Sequence, residues 1–130
     1  MKLNLFVTHC QSDLTFYKNV FGATVVTETL DASGKGYCEI KLEDYTLGLV
    51  DENPAEGRKT PKSLGGFTPF AFVINKPLTE LEQIKVRYLA QGGYPCDPCT
   101  MDNPIITLPD GKKLCNILDL SGYCWSVVEQ

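Results

Sequence analysis

The feature that most constrains this chain is a short amphipathic helix signal near its start, placed between two strand signals. From Asp13 to Ala23, four apolar side chains recur at spacings of three and four and so share one helical face: Leu14, Tyr17, Val20 and Phe21. Gly22 follows them, where a helix end favours a residue that tolerates the left-handed conformation. Thr8 and Gln11 have the spacing of a capping box. We therefore expect a helix near residues 9–21, with Thr8 as its N-cap.

Strand patterns surround this helix in the first half of the chain. Residues 3–8 alternate, and residues 23–30 are rich in β-branched side chains. Between Tyr37 and Leu42, apolar Cys38 and Ile40 alternate with polar neighbours, and a further strand pattern follows from Tyr45 to Val50. The predicted order is strand, helix and three strands.

The second half repeats that order. Residues 67–75 resemble a strand, and an apolar period of helical spacing follows until Gly92 and Gly93, so we expect a helix near residues 78–91. Residues 103–108, 113–118 and 123–129 are strand candidates separated by turn residues. The glycines that end the two helices lie about 70 residues apart. This spacing predicts two βαβββ modules in tandem.

A long unpatterned stretch separates the two halves. Pro54, Gly57 and Pro61 interrupt residues 51–66, and so does the pair Gly65 and Gly66. A plain connection is favoured there over a lid that covers a ligand. At 130 residues the length predicts a single domain, with module 1 at about 1–51, the connecting loop at 52–66 and module 2 at about 67–130.

Both ends of the chain resemble the vicinal oxygen chelate superfamily, which includes glyoxalase I, extradiol dioxygenases, fosfomycin-resistance enzymes and bleomycin-resistance proteins. The first helix is similar in its closing aromatic and small residues: Phe16, Tyr17, Phe21, Gly22 and Ala23. The segment from Asp119 to Glu129 resembles the closing turn and last strand, with Leu120 where proline is usual. The resemblance implies an α+β fold, in which the two βαβββ modules form a curved mixed sheet around a cavity. It also implies a homodimer, and open sheet edges are the physical reason.

Strand alternation indicates which residues line such a cavity. In the first module, the residues that alternate with the apolar strand positions should face the cavity, while the apolar residues themselves pack against the helices. In the second module, the inward residues follow from the register implied by the resemblance. An aromatic wall with a few polar groups suits a small organic ligand. The predicted pocket residues are Asn4, Phe6, Tyr37, Glu39, Phe70, Phe72 and Ser126.

The resemblance also implies a divalent metal held by four strand residues. Those positions fall on or beside Lys2, Gly48, Thr68 and Ser126, and a shift by one residue brings in no better donors. A divalent cation needs anionic or imidazole ligands. No cofactor and no metal site are therefore predicted, and a divalent metal is disfavoured. The lone histidine, His9, belongs to the helix start.

Composition excludes several classes of function. The net charge is −4 and no basic run exists, which disfavours nucleic acid as a partner. The N-terminus lacks a signal-peptide core, and no stretch approaches the roughly 20 apolar residues of a membrane span. We expect a cytoplasmic protein without a membrane partner.

Six cysteines are many for such a chain. Without a secretory signal, reduced thiols are favoured over a disulfide framework. Cys96 and Cys99 form a Cys-x-x-Cys pattern, but no second ligand pair follows for zinc, and two thiols in a turn are the simpler interpretation. Cys10, in the first helical turn, is the better candidate for an activated thiol, although no base accompanies it.

Three hypotheses on function remain open. The first, and favoured, is a metal-free protein that sequesters or senses a small organic ligand. The alternative is a metal-dependent lyase, isomerase or oxidoreductase of glyoxalase or dioxygenase type whose ligands lie elsewhere. A structural or protein-interaction module is the third. Glu39 is the one carboxylate placed in the cavity, where it could act as a base or bind a polar ligand.

Overall fold

The computed structural model describes residues 2–66, 68 and 70–130. The first half forms one βαβββ module followed by a short 3₁₀ helix at Pro54–Glu56. Its elements are β1 (Lys2–Val7), α1 (Cys10–Phe21), β2 (Thr24–Leu30), β3 (Gly36–Leu42) and β4 (Tyr45–Asp51). Its sheet has the strand order β1-β4-β3-β2, in which β1 and β4 are parallel and the other pairs antiparallel. The predicted first module is confirmed.

The second half repeats the arrangement with shorter and additional strands. Its elements are β5 (Ala71–Lys76), α2 (Leu78–Ala90), β6 (Tyr94–Pro95), β7 (Ile106–Thr107), β8 (Lys113–Leu118) and β9 (Cys124–Glu129). The strand order is β5-β9-β8-β6, and β7 also pairs with β8. The second strand of the module is thus divided between β6 and β7. Pro98 and Pro104 lie between them, and proline cannot donate to a strand ladder. Phe67 and Pro69, within the strand predicted at 67–75, lie outside the described residues.

Helix α1 begins one residue later than a cap at Thr8 would place it. The N-cap is His9, whose ring Nδ1 accepts a hydrogen bond from the backbone N–H of Ser12. The backbone N–H of Thr8 instead donates to the Ser121 hydroxyl, 2.9 Å away. The predicted Thr8 cap is therefore wrong. Gly22 ends the helix in the left-handed region at φ 74°, as predicted.

The core lies between the helices and the sheets. Tyr17 and Phe21 of α1 and Leu81 and Ile84 of α2 are buried there. Trp125 of β9 is fully buried, and its ring centroid lies 5.6 Å from that of Tyr17 and 5.2 Å from that of Phe21. An aromatic side chain of this size contributes a large part of the burial that stabilises a small domain. The two modules therefore share one cluster of buried side chains.

Tyrosine hydroxyls bridge the two sheets at their neighbouring edges. The Tyr123 hydroxyl donates to the carbonyl of Phe6 in β1, at 2.7 Å. The Tyr45 hydroxyl, at the start of β4, donates to the carbonyl of Val73 in β5 and accepts from its N–H, both at 3.3 Å. These bonds satisfy backbone groups that β1 and β5 leave unpaired at the ends of their sheets.

The connection between the modules is ordered by one carboxylate. Glu52 accepts hydrogen bonds from the Ser63 hydroxyl, at 2.6 Å, and from the backbone N–H of Thr60, at 3.3 Å. The hydrogen bond from Ser63 lowers the pKa of Glu52. The backbone N–H of Lys62 donates to the carbonyl of Ser121, which holds the segment against the turn before β9. In the described part of the chain, neither helix has the length and apolar composition needed to cross a membrane.

Candidate functional site

Each sheet has one face packed against the helices and one face without them, which we call the helix-free face. In the first module, the helix-free face carries the side chains that alternate with buried Leu5, Cys38, Ile40, Leu47 and Leu49. Strand register arranges these residues in three rows across β1, β4 and β3: Lys2–Thr46–Lys41, Asn4–Gly48–Glu39 and Phe6–Val50–Tyr37. Strand alternation in the sequence predicts Asn4, Phe6, Tyr37 and Glu39 on one face. The register of the strands places these four residues on the helix-free face.

Gly48 is the centre of this arrangement. A Cβ atom at this position would overlap the side-chain oxygen of Asn4 and lie 3.0 Å from the Tyr37 hydroxyl. The missing side chain lets Asn4 and Tyr37 converge over β4. Gly48 itself is buried, although it lies on the helix-free face, because its neighbours cover it. The side chains of Asn4 and Tyr37 thus pack directly over the backbone of Gly48.

Glu39 is paired within this face. The Lys2 ammonium lies 2.8 Å from its carboxylate, and the Tyr37 hydroxyl donates to the same carboxylate at 3.4 Å. The hydrogen bond from Lys2 lowers the pKa of Glu39, and the pKa of Lys2 is raised by the same contact. Both groups remain ionised at neutral pH. The pair brings together opposite charges, so the face presents hydrogen-bonding groups with little net charge from these two residues.

The helix-free face of the second module is more apolar. Ser126 lies there, opposite Val73 of β5 and Asn116 of β8. Its hydroxyl donates to the Asn116 side-chain oxygen at 2.6 Å, and the Asn116 amide donates to the carbonyl of Asp97 at 3.1 Å. Val73 occupies the position that corresponds to Asn4 in the first module, and its side chain is 50% exposed. One module thus supplies mainly polar groups and the other more apolar surface.

The two phenylalanines predicted for the pocket have different positions. Phe72 is 4% exposed and packs against Trp125, with ring centroids 4.7 Å apart, so its predicted place in the cavity is wrong. Phe72 and Trp125 are opposite each other in register, and both point into the core. Phe70 precedes β5, is 57% exposed and meets Phe72 edge-on, with ring centroids 5.5 Å apart.

A separate open cavity of about 420 Å³ lies at the junction of the sheets. It contains none of the predicted pocket residues. Its walls come from the turn between β3 and β4, from β5 and from the C-terminus: Glu43, Asp44, Tyr45, Val73, Ile74, Asn75 and Gln130. The Lys76 ammonium pairs with Glu43 at 2.9 Å.

A buried polar cluster joins α1 to the turn before β9, and sequence reasoning did not find it. Asp119 accepts hydrogen bonds from the Tyr17 hydroxyl, the Trp125 indole at 3.0 Å and two backbone N–H groups. Asp13 accepts from the Ser121 hydroxyl at 2.5 Å, while its other carboxyl oxygen has no partner. Burial raises the pKa of Asp119, and it raises the pKa of Asp13 to about 7. Because Asp13 and Asp119 are buried and hydrogen-bonded to other parts of the chain, we interpret them as residues that hold α1 against this turn.

The two thiol patterns also have structural explanations. Cys10 is fully buried, and its thiol donates to the carbonyls of Leu49 at 3.2 Å and Gly36 at 3.3 Å. Its hydrogen bond with Cys38 and its burial raise the pKa of Cys10, so the helix start does not activate this thiol. The thiols of Cys96 and Cys99 have different partners. The Cys99 thiol donates to the carbonyl of Leu114 and accepts from the N–H of Asn116.

Solved structures resemble this chain over nearly its whole length. A glyoxalase-related enzyme from Fulvimarina pelagi matches with a TM-score of 0.71 and 16% identity, covering 99% of this chain and 86% of that one. The fosfomycin resistance protein FosX from Listeria monocytogenes matches with a TM-score of 0.72 and 12% identity, covering 100% and 89%. Lactoylglutathione lyase from Agrobacterium tumefaciens matches with a TM-score of 0.63 and 20% identity, covering 99% and 91%.

This is the glyoxalase and bleomycin-resistance fold. The resemblance in the helix and closing turn is thereby confirmed at the level of the fold, with both βαβββ modules present. No family model matches the sequence, and no curated protein matches it. Identities of 9–20% to the solved structures show a shared fold alone. The chemistry of this chain has to be inferred from its own residues.

The residues at the metal positions of this fold do not fit a divalent cation. Gly48 has no side chain, and Lys2 is cationic and paired with Glu39. The hydroxyl of Thr68 donates to the carbonyl of Phe70, and that of Ser126 donates to Asn116. Register also places Asn4, and not Lys2, beside Gly48, and Val73, and not Thr68, beside Ser126. Among the described residues, no three acidic, histidine or cysteine side chains form a metal-binding group.

Proposed function

We propose that the chain binds a small organic molecule on its helix-free face, without a resident metal. The observation that supports this proposal is the arrangement around Gly48. There Asn4, Tyr37 and Glu39 converge over a position without a side chain, beside the half-buried surface of Phe6 and Val50. Small-molecule sites combine apolar walls with a few convergent polar groups in this way. The structural neighbours include a lactoylglutathione lyase and a fosfomycin resistance protein.

The Lys2–Glu39 pair determines which guests fit best. A bare cation would compete with the Lys2 ammonium, which lies 2.8 Å from the carboxylate and already offsets its charge. A guest with both donors and acceptors can add to the pair without displacing it. We therefore infer a neutral or zwitterionic guest with amide or hydroxyl groups and an apolar portion that contacts Phe6 or Val50. Ser126 of the second module offers a further hydroxyl on the same side of its sheet.

Binding is tested by titrating isotopically labelled protein with mixtures of small neutral and zwitterionic fragments and following the backbone amide resonances. We expect hits to shift the amides of Asn4, Tyr37 and Gly48 together. Gly48→Ala should weaken those hits about tenfold or more, because the added methyl group would collide with Asn4 and Tyr37 and displace their side chains. Thr107→Ala, on the exposed β7, is the matched control and should leave them unchanged. Hits confined to other surfaces would contradict the proposal.

The metal-free part of the proposal has its own test. Calorimetric titration with Ni²⁺, Zn²⁺, Mn²⁺ and Fe²⁺ should show no stoichiometric site of micromolar or tighter affinity. A site that is lost on Glu39→Gln or Asn4→Ala, and retained in cysteine variants, would instead support a metal-dependent enzyme of glyoxalase or dioxygenase type. The fragment and metal experiments fail independently, so each half of the proposal is judged separately.

A further inference from the structure

One cysteine differs from the other five in its accessibility. Cys96 is partly exposed, whereas Cys10, Cys38, Cys99, Cys115 and Cys124 are buried. Cys96 directly follows β6, and its backbone N–H donates to the carbonyl of Asn116, at 2.9 Å. The residue therefore continues along the edge of β8, beside the row that contains Ser126 and Asn116.

The nearest thiol to Cys96 belongs to a distant residue of the sequence. Its Sγ atom lies 3.3 Å from the Sγ of Cys124, the first residue of β9, although the two positions are 28 residues apart. A disulfide has an S–S length of about 2.05 Å, so the two sulfur atoms need to approach by only about 1.2 Å. Cys99, the other member of the Cys-x-x-Cys pattern, is held by backbone groups of β8.

We infer that Cys96 and Cys124 form a reversible intramolecular disulfide when the protein meets a small-molecule disulfide such as oxidised glutathione. The bond would join the segment after β6 to the first residue of β9, at the margin of the helix-free face of the second module. This reaction does not depend on the proposed ligand-binding function.

The chemistry consists of two exchange steps. The thiolate of accessible Cys96 attacks the oxidant, forming a mixed disulfide and releasing one glutathione thiolate. Cys124, as its thiolate, then attacks the Cys96 sulfur, which forms the protein disulfide and releases the second glutathione. In sum, two protein thiols are oxidised, one glutathione disulfide is reduced to two glutathione thiols, and the protons of the protein thiols pass to them.

The surroundings indicate how this reaction depends on pH. Burial, together with the hydrogen bond to Cys124, raises the pKa of Cys96 to about 12. Few Cys96 thiols are ionised at neutral pH, and the attacking species is the thiolate. The oxidation should therefore be slow near pH 7 and become faster at each step towards alkaline pH.

The bond would also change the contacts of both residues. The Cys124 thiol now donates to the carbonyl of Thr68, at 3.8 Å, and the disulfide removes this donor. The Asn116 amide already holds the next residue of the segment through the carbonyl of Asp97. A cross-link spanning 28 residues restricts the unfolded chain, and a rise in melting temperature of roughly 10 °C is expected.

The test uses the 130-residue chain incubated with oxidised glutathione at pH 8.5. The free thiols measured after denaturation should fall from six to four, because two of the six are joined. The mass should fall by about 2 Da. Peptide mapping should find Cys96 linked to Cys124, and dithiothreitol should reverse the change.

Matched cysteine variants make the assignment specific. Cys96→Ser and Cys124→Ser should each abolish the internal cross-link, and Cys99→Ser should leave it intact. A cross-link between Cys96 and Cys99, a stable mixed disulfide with glutathione, or six free thiols after prolonged incubation would each overturn the inference.

Discussion

Two buried carboxyl groups hold the start of α1 against the turn that precedes β9. Asp119 has four hydrogen-bond donors around it and is well satisfied. Asp13 has the Ser121 hydroxyl on one oxygen and no partner on the other. An ionised carboxylate in that position lacks solvation, so the protonated form is favoured in the folded protein.

Asp13 should therefore make stability depend on pH. Its pKa rises from 3.8 in the unfolded chain to about 7 in the folded protein, with burial as the main cause. Between these values only the folded state keeps the proton, so stability falls as pH rises from about 4 to about 7. The limiting slope for one proton is about 1.4 kcal/mol per pH unit.

Asp13→Asn should remove this contribution. Denaturant unfolding at pH 4.5 and pH 7.5 measures it, and the stability difference between those pH values should be smaller in the variant than in the wild type. The dependence that remains in the variant comes from other groups, including Asp119, whose pKa burial raises, and Glu52, whose pKa the hydrogen bond from Ser63 lowers. Asp102→Asn, at an exposed position, is the control. If Asp13→Asn changes stability equally at both pH values, Asp13 titrates normally in the folded state.

At the scale of the elements, the sequence predicts which side of a strand faces the core only where its two sides differ in polarity. In β3, buried Cys38 and Ile40 alternate with Tyr37 and Glu39, and the core-facing side is predicted correctly. In β5 both faces carry apolar residues, so alternation does not tell which side faces the core. The family register assigned Phe72 to the cavity, and pairing with Trp125 places it in the core instead. Contacts between distant residues, such as Lys2 with Glu39 or Cys96 with Cys124, leave no local pattern.

The corrected position of Phe72 predicts a large difference between two neighbouring substitutions. Phe72→Ala removes a buried ring that packs on Trp125 and Tyr45, and should lower the free energy of unfolding by about 3–5 kcal/mol. Phe70→Ala, at a position 57% exposed, should cost less than about 1 kcal/mol. Urea denaturation of both variants measures the difference. Equal losses would mean that Phe72 does not belong to the core.

At the scale of the whole molecule, the edges of the sheets determine how the chain can associate. The edges of β1 and β5 face the junction of the modules, where Tyr123 and Tyr45 bind their backbone groups. Strand β2 is different. Within the described part of the chain it pairs only with β3, and five of its seven residues are exposed. An unpaired strand edge offers N–H and C=O groups to another strand.

We therefore predict that two copies of the chain associate, and that β2 takes part in the contact. Sedimentation at micromolar concentration should show a species of about twice 14.4 kDa. Val26 of β2 is 46% exposed, and Val26→Lys should shift the population towards the monomer, because a charge on an edge strand opposes pairing. Val86→Lys is the matched control, since Val86 is 65% exposed on α2, away from the sheet edges. A wild-type chain that sediments only at about 14 kDa would contradict the homodimer, and dissociation by both variants would exclude β2 as the specific contact.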